Sequence, residues 1–298
     1  MTRPMSIAVV VLGDLDRSPR MCNHALSAAR SGHFAEVRLI GYSTAGLDSL
    51  PSALRENSFI RPVFLSTWLI DKLRKLPRFL YLLYALLRII IQSLQLVCAL
   101  WRPCQPYDYI LIQNPPCVPL LFICCLVRVL TCFRTQLIID WHNYGFTIMR
   151  VNNVNAKFVG MARWYELAFG RFGDHHLTVS EAMKKDLLTL IPRLRDERVH
   201  VLYDRATSKF KPGLSMQDKF DVLERVGLEG IIEQLTELAI PQYKKDRPVL
   251  MLSSTSYTPD EDFMVLVNAL NIYDNDPSNK QKIQVIVTGR GPQRDLYD

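Results

Sequence analysis

One histidine stands where a reaction would need a base. His142 lies two residues past Asp140 in the run Gln136 to Gly145, QLIIDWHNYG. Leu137, Ile138 and Ile139 form a short apolar run that stops on polar and turn residues, the pattern of a buried parallel strand. In open α/β sheets ligands bind beyond the carboxyl ends of the strands. His142 and Asp140 are therefore the candidate catalytic pair, with His142 as general base in the aromatic surround of Trp141, Tyr144 and Phe146. A structural histidine bonded to backbone is the competing reading of the same residue.

Ile7 to Leu12 (IAVVVL) repeats the design and runs into Gly13, Asp14, Leu15, Asp16 and Arg17, then Ser18 and Pro19. Serine as cap with proline at the first helical position predicts a helix over 18–31. A glycine-bearing loop that opens onto a helix N-terminus suits an anion such as a diphosphate. A tight turn with a good cap is the plain alternative. His24, further along that helix, is placed to point back towards the same crevice.

A second cluster comes late in the chain. The apolar run Val249 to Leu252 leads into Ser253, Ser254, Thr255, Ser256 and Tyr257, and Thr258 with Pro259 and Glu261 forms a capping box that predicts a helix over 259–271. Ile283 to Thr288 then ends in Gly289, Arg290 and Gly291. Two such turns of one sheet would offer hydroxyls and backbone amides to the phosphates of a sugar nucleotide. Asp260, Glu261 and Asp262 are also explained as acidic first-turn residues that offset the helix dipole.

No metal site is expected. Asp14-Leu15-Asp16 sits beside Arg17 and Arg20, and Asp274-Asn275-Asp276 belongs to a turn with Pro277. His175 and His176 are adjacent in a strand and point to opposite faces. The 298 residues, 49% hydrophobic and 22% charged, fit a two-domain globular α/β protein. A net charge of +7 raises nucleic acid or anionic membrane as partner. No helix-turn-helix, zinc-finger or RNP signature is present, whereas Lys72, Arg74, Lys75, Arg78 and Arg102 bracket an apolar helix, so the reading is membrane and no nucleic acid. Seven cysteines without a C-x-x-C pair read as reduced thiols and cytosolic exposure, and no signal peptide is expected.

The elements that must position these residues alternate. Strands are expected at about 6–12, 36–41, 107–113, 136–140, 174–179 and 198–202, with helices at about 18–31, 66–101, 118–133, 155–172 and 180–191. This order predicts a doubly wound parallel sheet. Polar residues 209–246, with helical pieces near 217–226 and 229–238, separate a domain over 1–208 from a second over 247–298. Phe79 to Trp101 is long enough to span a bilayer, but Arg88, Gln92 and Gln95 join Tyr81 and Tyr84 in one polar stripe. A central arginine costs about 2.5–3.5 kcal/mol on insertion. The expected element is an amphipathic, membrane-associated helix over about 77–101, apolar face down, with a buried crossover helix and a true span as the other readings.

Taken together, GDLDRSPRM (13–21), QNPP (113–116), IIDWHNYG (138–145), WYE (164–166), TVSEAM (178–183), SSTSYTPDEDF (253–263) and TGRGP (288–292) resemble the chitobiosyldiphosphodolichol β-mannosyltransferase family of the endoplasmic reticulum. The motifs cover essentially the whole chain in order, and the first, third and sixth are specific to that family. The resemblance implies an α/β, GT-B-like architecture: one complete Rossmann-like domain that binds the acceptor, then the beginning of a second that binds nucleotide sugar. Gly13, Asp14, Ser18, Arg20, His24, Gln113, Asn114 and Asn143 would line the acceptor side, with His142 near the acceptor hydroxyl. Ser253, Ser254, Thr255, Asp260, Glu261, Gly289, Arg290 and Gly291 would touch the donor.

The implied reaction is inverting transfer of mannose from GDP-mannose to dolichol-diphosphate chitobiose in β-1,4 linkage. It would take place on the cytosolic face of the endoplasmic reticulum membrane without metal or cofactor. Attachment would be peripheral or monotopic, and other early mannosyltransferases of the pathway are candidate partners. Two departures stand out. The family ordinarily begins with a transmembrane anchor, whereas this chain begins at its first strand, so attachment would rest on Phe79 to Trp101 and its basic flanks. The chain also stops at Asp298, early in the donor domain and before the family's acidic donor-sugar motif, which leaves a small sheet with open edges. An active transferase and a module that binds lipid acceptor or a partner without transfer are both carried forward. An NAD-dependent enzyme is disfavoured, because the first loop lacks G-x-G-x-x-G and Gly41 replaces the acidic residue that would end the second strand.

Overall fold

The structure is a computed structural model that describes residues 4–73, 77–102, 104–205, 213–228, 231–233, 240–258, 261–279 and 281–297. The chain divides into two units, Met1–Arg205 and Ala206–Asp298.

In the first unit the elements run β1 (Met5–Asp14), α1 (Pro19–Arg30), β2 (Phe34–Tyr42), α2 (Ser52–Arg55), β3 (Ile60–Phe64), α3 (Trp68–Leu73), α4 (Tyr81–Leu100), β4 (Tyr109–Asn114), α5 (Leu120–Leu130), β5 (Gln136–Trp141), α6 (Gly145–Val151), α7 (Ala156–Gly170), β6 (His175–Thr178), α8 (Glu181–Leu190) and β7 (Val199–Val201). The seven strands form one parallel sheet in the order β3-β2-β1-β4-β5-β6-β7. The strand order reverses between β1 and β4, where a doubly wound sheet opens a crevice beyond its carboxyl ends.

β1 shows why the strands read as unbroken apolar runs. Ala8, Val10 and Leu12 pack into one core with Leu96 and Leu100 of α4 and Leu120 and Cys124 of α5. Ile7, Val9 and Val11 pack into a second core with Met21, Cys22 and Ala25 of α1. A strand covered on both faces has no polar side to show.

Several expectations are corrected. β3 was not foreseen, because Pro62 interrupts its short apolar run. Proline is tolerated there because β3 is the edge strand. The single helix expected over 66–101 is two helices, with Pro77 and a 3-10 turn over Arg78–Leu80 ahead of α4. α5 is shorter than expected: Pro119 precedes it, and Cys132 and Phe133 turn the chain after it with φ of 53° and 58°. The short α6 also went unread. Gly41 is required by packing, since a Cβ there would lie 2.6 Å from Leu15 Cδ2, and Leu15 is fully buried.

α4 is long and apolar enough to cross a membrane. Its polar stripe faces the protein. Gln92 is buried and donates to the Tyr42 hydroxyl at 3.1 Å, and Gln95 donates to the Ser66 carbonyl at 2.7 Å. Leu83, Leu86, Ile90 and Leu94 are exposed. Of Leu83–Leu100 only Gln92, Leu96 and Leu100 are buried. A helix of a water-soluble domain is ordinarily turned the other way.

β5 is pinned to β6 by a buried indole-imidazole bond. Trp141 Nε1 donates to His176 Nδ1 at 3.0 Å, and Gly170 leaves room for the indole, where a Cβ would lie 2.7 Å from Cη2. Indole nitrogen only donates, so Nδ1 must stay unprotonated. Burial is the main cause that pushes the His176 imidazole down to about 4. An unfolded histidine titrates near 6.5. The stability this bond brings is therefore complete above about 6.5 and is lost as pH falls towards 4. Between pH 7.5 and 5 the chain is expected to lose about 2 kcal/mol by this route, from ~1.4 kcal/mol per pH unit over the interval below 6.5. Urea unfolding at both pH values, with His176→Gln as control, measures it; an identical pH slope in the variant would refute the assignment.

In the second unit the elements run α9 (Met216–Arg225), β8 (Ile232–Glu233), β9 (Gln242–Tyr243), β10 (Val249–Ser254), α10 (Met264–Asn275), β11 (Ile283–Thr288) and α11 (Arg294–Tyr297). α9 carries a capping box between Ser215 and Asp218. Ile232 and Glu233 pair antiparallel with Gln242 and Tyr243, so a strand stands where helix was expected; residues 229–230 and 234–239 of that expected helix lie outside the described residues. β10 and β11 pair in parallel, Val249 with Ile283 through Ser254 with Thr288. α10 begins at Met264, not at 259, because Glu261 is engaged by the preceding loop instead of capping a helix.

Candidate active site

The carboxyl edge of the first unit gathers charge from α1, the end of β5 and the segment after β7. Arg20 and His24 are four residues apart on α1 and so share a face. Both reach Asp140, which is fully buried. Arg20 Nε and Nη2 donate to the two Asp140 oxygens at 2.6 and 2.8 Å, a bidentate pair, and His24 Nε2 lies 2.9 Å from Oδ2. The third guanidinium nitrogen of Arg20 donates to the Leu202 carbonyl at 2.9 Å and to Asp204 at 2.8 Å. Burial pushes the Asp140 carboxyl up, but the bonds from His24 and Arg20 and their charge outweigh it and hold Asp140 below its ordinary value.

His142 is held differently from what its spacing suggests. The strand ends at Trp141, the chain turns, and the imidazole is left half exposed, with the His142 amide bonded to the Asn114 carbonyl at 2.9 Å. The carboxylate facing its Nδ1 is Asp204, at 3.6 Å, whereas Asp140 points inward to α1. Asp140 is thus not the partner of the candidate base. This arrangement leaves Nε2 for a substrate hydroxyl, with Asp204 positioned to steady an imidazolium. A contact of this length is ordinary for a catalytic pair without substrate.

The turn that carries His142 is fastened by a residue that sequence reasoning did not single out. Glu166 of α7 is fully buried. It accepts from Asn114 Nδ2 at 2.6 Å and from the amides of Gly145 and Phe146 at 3.0 and 3.2 Å, supplying partners to the first turn of α6. Burial raises its carboxyl, and these bonds offset only part of that. Its signal was faint, a carboxylate inside an otherwise apolar helical stretch, visible only within WYE. Asp204 had a better one, an acidic residue just past the short apolar strand β7, the same logic that selects His142.

The other expected acceptor residues are dispersed. Ser18 precedes α1, yet its hydroxyl donates to the Asp14 carbonyl at 2.9 Å and does not cap the helix. Gly13 and Asp14 belong to the wall of a pocket completed by α3 and α4. Gln113 and Asn114 end β4, and Gln113 Oε1 and Asn114 Oδ1 are buried acceptors without a hydrogen-bond partner among the described residues. Asn143 is exposed, and its side chain accepts from the Tyr144 amide at 2.8 Å.

In the second unit the two βα turns meet. Ser253 and Ser254 end β10, and the Thr255 amide donates to the Thr288 carbonyl at 2.9 Å. Gly289 and Gly291 pass so close to the Thr255 and Ser256 carbonyls that neither position has room for a Cβ, and Gly289 adopts φ 135°. Glu261 accepts from the Thr255 and Ser256 hydroxyls at 2.5 and 2.8 Å and from the Ser256 amide at 2.7 Å, bonds that lower its carboxyl. Glu261 therefore shapes the loop. Arg290 is exposed, and Asp260 lies outside the described residues. Among the described residues no group of three or more His, Cys, Asp or Glu side chains is arranged to hold a metal ion.

No family model matches the chain. The chain is 35% identical to chitobiosyldiphosphodolichol beta-mannosyltransferase of Candida albicans over 98% of its own length and 59% of that protein. With the protein of the same name from Yarrowia lipolytica it shares 36% identity over 95% of its length and 57% of the relative, and with that of Homo sapiens 33% over 98% and 64%. The chain thus spans about three fifths of the length of these curated relatives. Among solved structures, sucrose-phosphate synthase from Thermosynechococcus elongatus superposes with a TM-score of 0.51 at 12% identity, covering 99% of this chain and 72% of that one, a likeness of fold.

Proposed function

From its likeness to the chitobiosyldiphosphodolichol β-mannosyltransferases, we propose that the chain transfers mannose from GDP-mannose to dolichol-diphosphate chitobiose in β-1,4 linkage, with His142 as the base. The observation that carries this reading is the half-exposed imidazole at the sheet's carboxyl edge, with Asp204 facing one nitrogen and no hydrogen-bond partner on the other among the described residues. In the inverting step, Nε2 of His142 takes the proton of the acceptor hydroxyl while its oxygen attacks the anomeric carbon. The bond from that carbon to the GDP phosphate oxygen breaks, and GDP leaves with the electron pair. Hydroxyls of Ser253 and Ser254 and amides of Gly289 to Gly291 would stabilise the departing diphosphate.

Association with the cytosolic face of the endoplasmic reticulum membrane is part of the proposal. One face of the first unit carries α4, α5 and α7, whose outward side chains include Leu86, Leu94, Phe122, Val129, Met161 and Trp164, all exposed. An apolar layer of that kind suits the headgroup-acyl boundary. All seven cysteines are free, in keeping with a reducing compartment.

A second reading, acceptor binding without transfer, is favoured by one observation. The first unit has a seven-stranded sheet, whereas among the described residues the second has only two-stranded sheets. One assay separates the two. The purified chain, supplied with GDP-mannose and a short-prenyl diphosphate chitobiose, is expected to yield the mannosylated lipid and GDP. Acceptor binding with no product would establish the second reading, and binding of neither substrate would dismiss both.

A further inference from the structure

The wall of the carboxyl edge around Gly13 and Asp14 continues into a pocket of about 680 Å³, closed on its far side by α3 and α4. This pocket receives the inward polar stripe of α4: Tyr81, Tyr84, Arg88 and Gln92 line it, opposite Tyr42 at the end of β2. The helix N-terminal loop at residues 13–20 was the expected seat of a diphosphate, yet of its two arginines Arg17 is exposed and outside the pocket lining and Arg20 is spent. All three nitrogens of the Arg20 guanidinium already donate to Asp140, Asp204 and the Leu202 carbonyl.

Arg88 is in the opposite condition. It forms no ion pair among the described residues, and it projects from a helix whose neighbouring side chains are leucine and isoleucine. Beside it, the Tyr42 hydroxyl is buried and accepts from Gln92 at 3.1 Å; its own proton has no acceptor among the described residues. A guanidinium and a phenolic proton thus converge on one cavity at the edge of an apolar helix face.

The same pocket contains two carboxylates, Asp14 and Asp71. A bare phosphate would meet two negative charges for one positive. A ligand with phosphate at one end and hydroxyls at the other uses both, since carboxylates accept from sugar hydroxyls while arginine and tyrosine donate to phosphate. The third requirement, an apolar tail, is met outside the pocket by the exposed Leu83, Leu86, Ile90 and Leu94. Tyr81 and Tyr84 stand at the boundary, where amphipathic aromatic rings are favoured. Only β4 separates β1, which ends at the pocket, from β5, which leads to His142. At roughly 4.8 Å per strand this is a distance of about 10 Å, comparable with two linked sugar rings.

We infer that the pocket beneath α4 seats the diphosphate and first sugar of a prenyl-diphosphate glycan, with Arg88 as the cation for the diphosphate and the tail lying on the outer face of α4. The inference deepens the proposed function and rests on it. It makes Arg88 a specificity-determining residue for the lipid acceptor and assigns it no part in binding the donor.

The test is equilibrium binding to the full chain in detergent, using three probes: a short-prenyl diphosphate chitobiose, free chitobiose and GDP-mannose. Arg88→Ala is expected to weaken the lipid diphosphate at least tenfold and Arg88→Lys distinctly less, with binding of free chitobiose and GDP-mannose unchanged. Arg88 is exposed, so neither substitution should disturb the fold, and matching thermal unfolding curves establish this. Tyr42→Phe, which keeps the ring and removes the proton, is expected to weaken the same probe alone. Unaltered lipid affinity in Arg88→Ala would overturn the inference while leaving the proposed function standing, as would an equal loss for GDP-mannose. Failure of the unsubstituted chain to bind the lipid probe would instead bring down the acceptor reading itself.

Discussion

Replacing His142 with alanine is expected, on the proposed function, to slow mannosyl transfer by about 10²–10⁴-fold, the usual worth of a positioned general base. The imidazole is half exposed and its one ion pair among the described residues is with Asp204, so the variant should fold as the parent does and bind both substrates with near-parental affinity. The loss belongs in kcat, since the proton moves only in the transition state. Asp204→Asn should lower the rate less, because Asp204 acts only through the imidazole, by orienting it. Its loss should also fall in kcat with both substrate affinities unchanged, a split that a merely structural role would not produce. Single-turnover transfer of labelled mannose measures both variants. A His142→Ala rate within a few-fold of the parent would remove the imidazole from the chemistry and turn attention to the free acceptors at the end of β4.

Why the candidate base was picked out from the sequence and its pairing with Asp204 was not is a matter of period. A strand ended by polar residues announces a carboxyl edge, and His142 sits on it. Whether the next carboxylate is Asp140 or Asp204 depends on the turn that follows Trp141, which Glu166 sets from a helix more than twenty residues away. Sequence spacing carries no record of such a contact. The alternation of strands and helices was legible for the same reason as His142: β1, β4 and β5 are covered on both faces and must be apolar throughout.

β3 was illegible because an edge strand can carry proline and polar residues. α4 was half legible. The stripe of Arg88, Gln92 and Gln95 was plain, but which side it faces is decided by what lies opposite, and Tyr42 and the Ser66 carbonyl draw it inward. In the second unit, Glu261 satisfies a capping-box pattern and yet serves the loop before it, because the Thr255 and Ser256 hydroxyls compete successfully for the same carboxylate.

Asp140 gives the largest expected effect on stability. Asp140→Ala should cost about 3–5 kcal/mol, the range for a buried ion pair deprived of one partner. Only 11% of the Arg20 side chain is exposed, and the substitution would leave two of its donors without acceptors. The Asp204 carboxylate, itself half exposed, still faces the third nitrogen and keeps the penalty from being larger. Asp140→Asn should cost less, since an amide keeps the shape and one acceptor. The pH dependence follows from direction. Asp140 is held below its ordinary value in the folded chain, so its contribution is complete above about 3.9, the unfolded value, and is lost as pH falls through the folded value. Acid unfolding of the Asn variant should lack that component. Urea titrations at pH 7 measure the first effect and acid titrations the second. The decisive comparison is a cycle with Arg20→Leu: if the charge pair is what the edge depends on, replacing both residues with leucine should cost less than Asp140→Ala alone. Additive costs would mean that the two side chains matter separately, and that the charge network beneath His142 does not act as one unit.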